Sequence, residues 1–289
     1  MTSITLQPVA PASTIVLLRG ADTPEVFLVR RHRKSGFLPN VHVFPGGRLD
    51  PDDLLVAQTP GRVIGDRTAA LADRMHGVAD ADYACALLVA AVRETFEESG
   101  VLLTDPVGAA PPLTGDSLAA ARMALNAGDA TFSAILDTHR LAIRADALVY
   151  FDQWVTPELE GRRFDTRFFL AVVPPEQHAT HDGHETTEGE WLDSSTALAR
   201  HAAQTIGLAP PTMWVLESLA RLEHRDAILQ WGAGRNVPTI LPRLQKDGGR
   251  LVVAMPGDPL HPTAGMEPVT RRVVWDDGRW HLVGFALDP

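Results

Sequence analysis

Apolar residues fall into short β-branched runs near both ends of the chain and one unbroken run in its first half. Thr14-Ile15-Val16-Leu17-Leu18-Arg19 and Val26-Phe27-Leu28-Val29-Arg30-Arg31 flank Gly20-Ala21-Asp22-Thr23-Pro24, which is turn chemistry. That pattern predicts a hairpin. A short strand over residues 41–44 ends in Pro45-Gly46-Gly47. There the backbone turns tightly and a ligand can approach without a Cβ in the way. Residues 52–82 carry little periodicity beyond Leu54-Leu55-Val56 and a helical stretch over 67–75. Broken by Gly61, Gly65 and Gly77, they read as a partly ordered, surface-exposed insertion. The run from Cys85 to Val92 predicts a helix, N-capped by Asp80 or Asp82 and closed by Gly100 as a C′ glycine. Downstream, helices are expected over residues 116–125, 132–141, 195–204 and 211–222. Strands are expected over 147–155 and 164–173. From about Arg250 the pattern returns to strands, with a hairpin around Asp276-Asp277-Gly278.

Composition changes this picture modestly. At 289 residues, 45% apolar and 21% charged, the chain is long enough for one large domain or a domain with an extension. A net charge of −10 opposes general nucleic-acid binding and an anionic membrane surface. It leaves room for a small phosphate ester bridged to acidic residues by a metal. The single cysteine, Cys85, allows no internal disulfide and points to a reducing, cytoplasmic compartment. Nothing beside it would lower its pKa for nucleophilic work. No run of 18 apolar residues and no signal peptide is found, and the last four residues are not a peroxisomal or retention address.

The candidate chemistry concentrates at the end of the long helix, in Arg93-Glu94-Thr95-Phe96-Glu97-Glu98-Ser99-Gly100-Val101. Glu94, Glu97 and Glu98 stand at i, i+3 and i+4, so three carboxylates share one face. Like charges at that spacing oppose each other, and a hard divalent cation would relieve them. A solvated acidic helix end is the plainer reading. Arg93 is spaced to pair with Glu97. Arg31-His32-Arg33-Lys34, just before the glycine pair, is either a solvated loop or a phosphate-facing patch. In the strand over 164–173, Asp165, Arg167 and Phe169 share the side opposite Phe164, Thr166 and Phe168. Arg167 there either bridges to Asp165 or the helix glutamates, or contacts substrate. The histidines at 178, 181 and 184 sit among Gly and Thr at spacings that favour a mobile polar loop over a metal site.

Gly47 with Arg93, Glu94, Glu97, Glu98, Gly100 and Val101 resembles the Nudix box, Gly-x5-Glu-x7-Arg-Glu-x-x-Glu-Glu-x-Gly-aliphatic. Three departures stand out. Asp53 occupies the position of the first glutamate, Thr95 replaces an aliphatic residue, and residues 54–92 stand where the pattern has seven. Such a split box is similar to the coenzyme A diphosphatase branch typified by the peroxisomal Nudix hydrolase of mammals. Gly36-Phe37-Leu38-Pro39, His42-Val43-Phe44-Pro45-Gly46-Gly47, Leu49-Asp50, Arg163 to Ala171 and Leu208-Ala209-Pro210-Pro211 fit that branch, over roughly residues 14–220. Of the bacterial coenzyme A diphosphatase signature upstream of Phe44, only Arg31 fits.

The resemblance implies an α/β Nudix fold, an α/β/α sandwich around a mixed sheet. Residues 1–205 would form the Nudix domain, with the insertion at about 54–83. Residues 206–289 would be a helical and β extension packed on the core, which leaves a homodimer open. It implies Mg²⁺ or Mn²⁺ held by Glu94, Glu97 and Glu98, with Arg93 completing the catalytic set. Arg31, Phe44, Gly46, Gly47, Asp50 and Arg167 would meet the substrate. The base would be Glu94 or a carboxylate of the downstream loop, where Glu188 and Glu190 are preferred over Glu185. The implied reaction cleaves the diphosphate of coenzyme A or acyl-coenzyme A to 3′,5′-adenosine diphosphate and (acyl-)phosphopantetheine. Alternatives are NADH, ADP-ribose or diadenosine polyphosphates, or a non-catalytic Nudix-fold binding domain. The Ser-Gln-Pro-Trp-Pro-Phe-Pro array of NADH-cleaving relatives is absent after Val101, as is the tyrosine near 117–120 that would favour diadenosine polyphosphates.

Overall fold

A computed structural model describes residues 8–33, 38–65, 68–158, 160–183, 185–262 and 271–284. The motif residues Gly36 and Phe37, the start of the expected 67–75 helix, His184 and the chain end lie outside the described residues.

The opening hairpin forms as expected. β1 (Val9–Arg19) and β2 (Glu25–Arg31) pair antiparallel, with Leu18 opposite Val26. β3 (His42–Val43) pairs with β2 and β4 (Gly46–Arg48) with β1. The insertion is more ordered than its weak periodicity suggests. α1 (Pro51–Gln58) starts with a reciprocal capping box: Asp50 accepts from the Asp52 N–H at 2.9 Å, and Asp53 accepts from the Asp50 N–H at 2.8 Å. Two of its residues, Asp53 and Val56, are buried. β5 (Val63–Ile64) and α2 (Thr68–Arg74) follow, then α3 (Ala81–Ser99). Asp80 caps α3 through the Tyr83 N–H at 2.8 Å, and Gly100, at φ +75°, ends it in the left-handed region.

β6 (Thr104–Pro106), α4 (Gly115–Ala127), α5 (Phe132–His139) and β7 (Leu141–Arg144) lead to β8 (Leu148–Val155) and β9 (Arg163–Val172). β10 (Thr186–Asp193) precedes α6 (Ser194–Ala202) and α7 (Pro210–Leu219). The chain continues through α8 (Arg225–Gly234) and β11 (Thr239–Ile240) to two hairpins, β12 (Arg243–Asp247) with β13 (Arg250–Ala254) and β14 (Arg271–Asp276) with β15 (Arg279–Gly284). The last hairpin turns at Asp277 and Gly278, both at positive φ as a type I′ turn requires. β10 and α8 were not expected: β10 holds Glu188 and Glu190, which were expected on a downstream loop, yet it pairs along β2.

Among the described residues the central sheet has eight strands in the order β10-β2-β1-β9-β8-β11, with β3 and β4 attached to β2 and β1. It is mixed, because β1 runs parallel to β9 from Val9–Arg163 to Leu18–Val172. Both faces of β1 are buried. Ile15 and Leu17 face α3, whose residues from Ala84 to Val92 are buried throughout, while Val16 and Leu18 face Met213, Leu216 and Ile228 of α7 and α8. The α/β/α sandwich follows from burying both faces of one sheet. A second, four-stranded sheet, β12-β13-β14-β15, packs Val253, Met255 and Val273 into the α7/α8 layer. No helix among the described residues is long and apolar enough to cross a membrane.

Candidate active site

The two halves of the box meet across the insertion. The Gly46 N–H donates to Glu98 Oε2 at 3.0 Å. A Cβ on Gly46 would overlap the Thr14 hydroxyl and the Ser13 carbonyl, and one on Gly47 would overlap the Glu94 carboxylate. Only glycines allow the loop to lie this close to β1 on one side and to the end of α3 on the other.

Arg93 ties the assembly together. Its guanidinium donates to both Asp53 oxygens at 2.9 Å, to the Arg48 carbonyl at 2.8 Å, to Glu94 at 3.0 Å and to Glu97 at 3.2 Å. Asp53, at the position of the first glutamate of the box pattern, has no solvent exposure. Burial alone would lower the pKa of Arg93, but its bond to Asp53 and the charges of Glu94 and Asp53 more than reverse this and hold it protonated.

The glutamates are under opposite pressure. Burial raises Glu94 to about 7, with Arg93 opposing the shift and Glu97 adding to it. Burial likewise raises Glu97, and Arg93 opposes it. Glu98 is pushed well above the ordinary carboxylate range by burial and then by Glu94, with the Gly46 N–H pulling the other way. One guanidinium therefore faces more negative charge than it can neutralise. Among the described residues no three acidic, histidine or cysteine side chains form a ready-made metal cluster; Glu94 and Glu97 are held by Arg93 and Glu98 by Gly46. The donor chemistry nevertheless fits a hard divalent ion, because desolvated carboxylate oxygens with uncompensated charge line a single cleft.

That cleft has a volume of about 1060 Å³. Arg31, Phe44, Gly46, Gly47, Asp50, Arg93, Glu94, Glu97 and Glu98 all line it. Arg167 does not. It is buried beneath the loop before α3, paired with Asp165 at 2.7 Å and donating to the His76 carbonyl at 2.7 Å. Of the two readings of Arg167, the structure shows the ion pair with Asp165. Glu188 and Glu190 also lie outside the lining. On β10 they pair with Arg30 and Arg200, each at 2.6 Å, and Glu190 stands 3.7 Å from His42. Of the three downstream candidates, Glu185, just before β10, lines the cleft, and its charge raises both Glu97 and Glu98. The lining also includes Trp154, Leu244, Val253 and Trp280, from segments with no recognisable motif.

Fold, glycine loop and glutamate helix together define a Nudix hydrolase. The model of the NUDT19 Nudix domain matches residues 65–221, more than half of the chain, which belongs to that family. Among similar proteins is the acyl-coenzyme A diphosphatase NUDT19 of Gallus gallus, 29% identical over 279 residues, covering 82% of this chain and 73% of the relative. The Homo sapiens acyl-coenzyme A diphosphatase NUDT19 is 29% identical over 306 residues, covering 86% and 80%. A crystal structure of a Nudix hydrolase from Alicyclobacillus acidocaldarius is 31% identical, covers 78% of this chain and 97% of its own, and superposes with a TM-score of 0.64.

Proposed function

We propose that this enzyme is a diphosphatase dependent on Mg²⁺ or Mn²⁺. It hydrolyses coenzyme A or acyl-coenzyme A to 3′,5′-adenosine diphosphate and (acyl-)phosphopantetheine. The observation that carries this reading is the closure of the split box, with Gly46 bonded to Glu98 while surplus buried carboxylates line a large cleft. The NUDT19 relatives, described as acyl-coenzyme A diphosphatases, support the substrate class.

Glu94, Glu97 and Glu98 would hold the ion, which when bound neutralises phosphate oxygens and lowers the pKa of the attacking water. The chain's own contribution is preorganisation. Arg93 keeps the box helix on the glycine loop through Arg48 and Asp53, and Gly46 orients Glu98. Glu94 or Glu185 accepts the proton from water; the position of Glu185 in the cleft lining favours it over Glu188 and Glu190. Residues 206–289 act as an extension of the Nudix domain rather than as a separate unit. The pairing of β11 with β8 supports this.

Purified protein incubated with Mg²⁺ and coenzyme A or an acyl-coenzyme A is expected to release 3′,5′-adenosine diphosphate, and Glu97→Gln to release far less. No product, or equal product from the two proteins, would sink the proposal. Preferential cleavage of NADH, ADP-ribose or a diadenosine polyphosphate would move the activity to another Nudix substrate.

A further inference from the structure

The cleft is larger than a diphosphate site requires, and its two ends differ in chemistry. Its floor is a row of cross-strand neighbours. Arg48 on β4 stands opposite Ala12 on β1, Ala12 opposite Thr166 on β9, and Thr166 opposite Trp154 on β8. A second row runs from Gly46 through Thr14 to Phe168. All seven residues line the cleft. Three interstrand steps separate Arg48 from Trp154, about 14 Å at the usual spacing. The Arg48 end carries the polar machinery: Arg93 bonds the Arg48 carbonyl, and Glu98 bonds the neighbouring Gly46.

The Trp154 end has an apolar wall, beside which Thr156, Glu160 and Arg162 of the β8–β9 connection and Arg163 at the start of β9 also line the cleft. Trp154 and Phe168 belong to the packed layer between the central sheet and the C-terminal strands. Leu244 of β12, Val253 of β13 and Trp280 of β15 pack against that layer from the second sheet and line the same cleft. Trp280 is fixed from behind: its carbonyl accepts from His201 Nε2 at 2.7 Å, and its ring meets Trp275 edge-on at 5.0 Å between centroids. A substrate anchored by its diphosphate at the glycine loop and extending along the floor would deliver its far end to this wall. Burying apolar surface against that wall is favourable by about 25 cal/mol per Å².

Building on the reading above, we propose that the second sheet is a specificity element. Its Leu244, Val253 and Trp280, with Trp154 and Phe168 of the central sheet, hold the acyl chain of an acyl-coenzyme A. They thereby favour acylated over free coenzyme A. The occupant is identified by continuity: one cleft joins a diphosphate-binding end to an apolar wall across several strands, and a fatty acyl thioester of coenzyme A carries an interior diphosphate joined through its pantetheine arm to an apolar acyl terminus.

The test compares kcat/KM for dodecanoyl-coenzyme A and for free coenzyme A in the full-length wild type, Leu244→Glu and Trp280→Ala. The ratio between the two substrates is expected to fall by roughly tenfold or more in Leu244→Glu, where a charge would enter the apolar wall, and by less in Trp280→Ala. An unchanged ratio in both variants, or equal loss on both substrates, overturns the assignment of the wall. Should Leu244→Glu fail to fold, as thermal melting would reveal, the Trp280→Ala ratio decides. A wild type that cleaves neither substrate overturns instead the reading of the diphosphate site.

Discussion

Two buried arginines set the catalytic end of this molecule apart from its structural frame. Arg93 and Arg167 each bridge an aspartate and a backbone carbonyl, and both are almost fully buried. Arg167 balances one charge with one, Asp165, and pins the loop before α3 to the sheet through His76. Arg93 faces Asp53, Glu94 and Glu97 together, with Glu98 next to them. A balanced buried pair secures a fold, whereas a buried surplus of one sign calls for a ligand of the other. By that criterion Arg93's surroundings are the proposed place of metal and phosphate chemistry, whereas the sequence left Arg167 open between an ion pair and substrate contact.

The largest expected effect separates the two clusters by activity. Glu97→Gln or Glu98→Gln should lower kcat/KM by roughly a hundredfold or more, while Arg167→Met should stay within about threefold once corrected for folded protein. A hundredfold loss in Arg167→Met, with the fold intact by circular dichroism, would break the comparison.

Stability should part the arginines next. Arg93→Met strands Asp53, which no water reaches, and is expected to cost about 3–5 kcal/mol in urea unfolding. Arg167→Met leaves Asp165 its bond from Gln153 Nε2 at 2.8 Å and 24% side-chain exposure, so a smaller loss of about 1–3 kcal/mol is expected.

The third expectation concerns pH. Glu94 is held at about 7, above its unfolded value, so its contribution to stability is fully present below the unfolded pKa of about 4.3. It is lost as pH rises through 7. Glu97 and Glu98 shift in the same direction, so the three titrate as a coupled set. Metal-free protein should therefore lose a few kcal/mol between about pH 4.5 and 8, and Glu94→Gln should flatten that slope. Added Mg²⁺ should raise the melting temperature more at pH 8 than at pH 5. A slope unchanged in Glu94→Gln would count against the surplus charge.

The smallest effect distinguishes the downstream carboxylates. Glu188→Gln breaks an exposed pair with Arg30 and should cost under about 1 kcal/mol, with little change in turnover. Glu185→Gln should lower turnover clearly more, read side by side in the same assay.

Much of this was legible in the chain, and the rest was not for identifiable reasons. The β1–β2 hairpin and α3 announce themselves through alternation, turn chemistry and caps, all local signals. The parallel register of β1 on β9 is set by packing between distant segments, which no local pattern encodes. After the buried Thr186, β10 runs through exposed Thr187, Glu188 and Gly189 at the edge of the sheet, and so reads as loop. α1 lacked periodicity, yet Asp50-Pro51 followed by Asp53 already held its capping signal. Spacing alone left the box glutamates between a cation site and a solvated helix end, and the resemblance to the Nudix box gave them their meaning. That Asp53 would close on Arg93 across the insertion, or that Glu185 rather than its neighbours would line the cleft, depended on where the chain folds back. The proposed apolar wall draws on five strands, β8, β9, β12, β13 and β15, and left no linear trace.

Manganese binding, followed by the loss of the free-ion electron paramagnetic resonance signal, tests the central claim most directly. Wild type and Arg167→Met are expected to take up Mn²⁺ alike, and Glu94→Gln/Glu97→Gln to lose most of that uptake. Equal uptake by the double variant and wild type would contradict the placement of the metal at the reunited box.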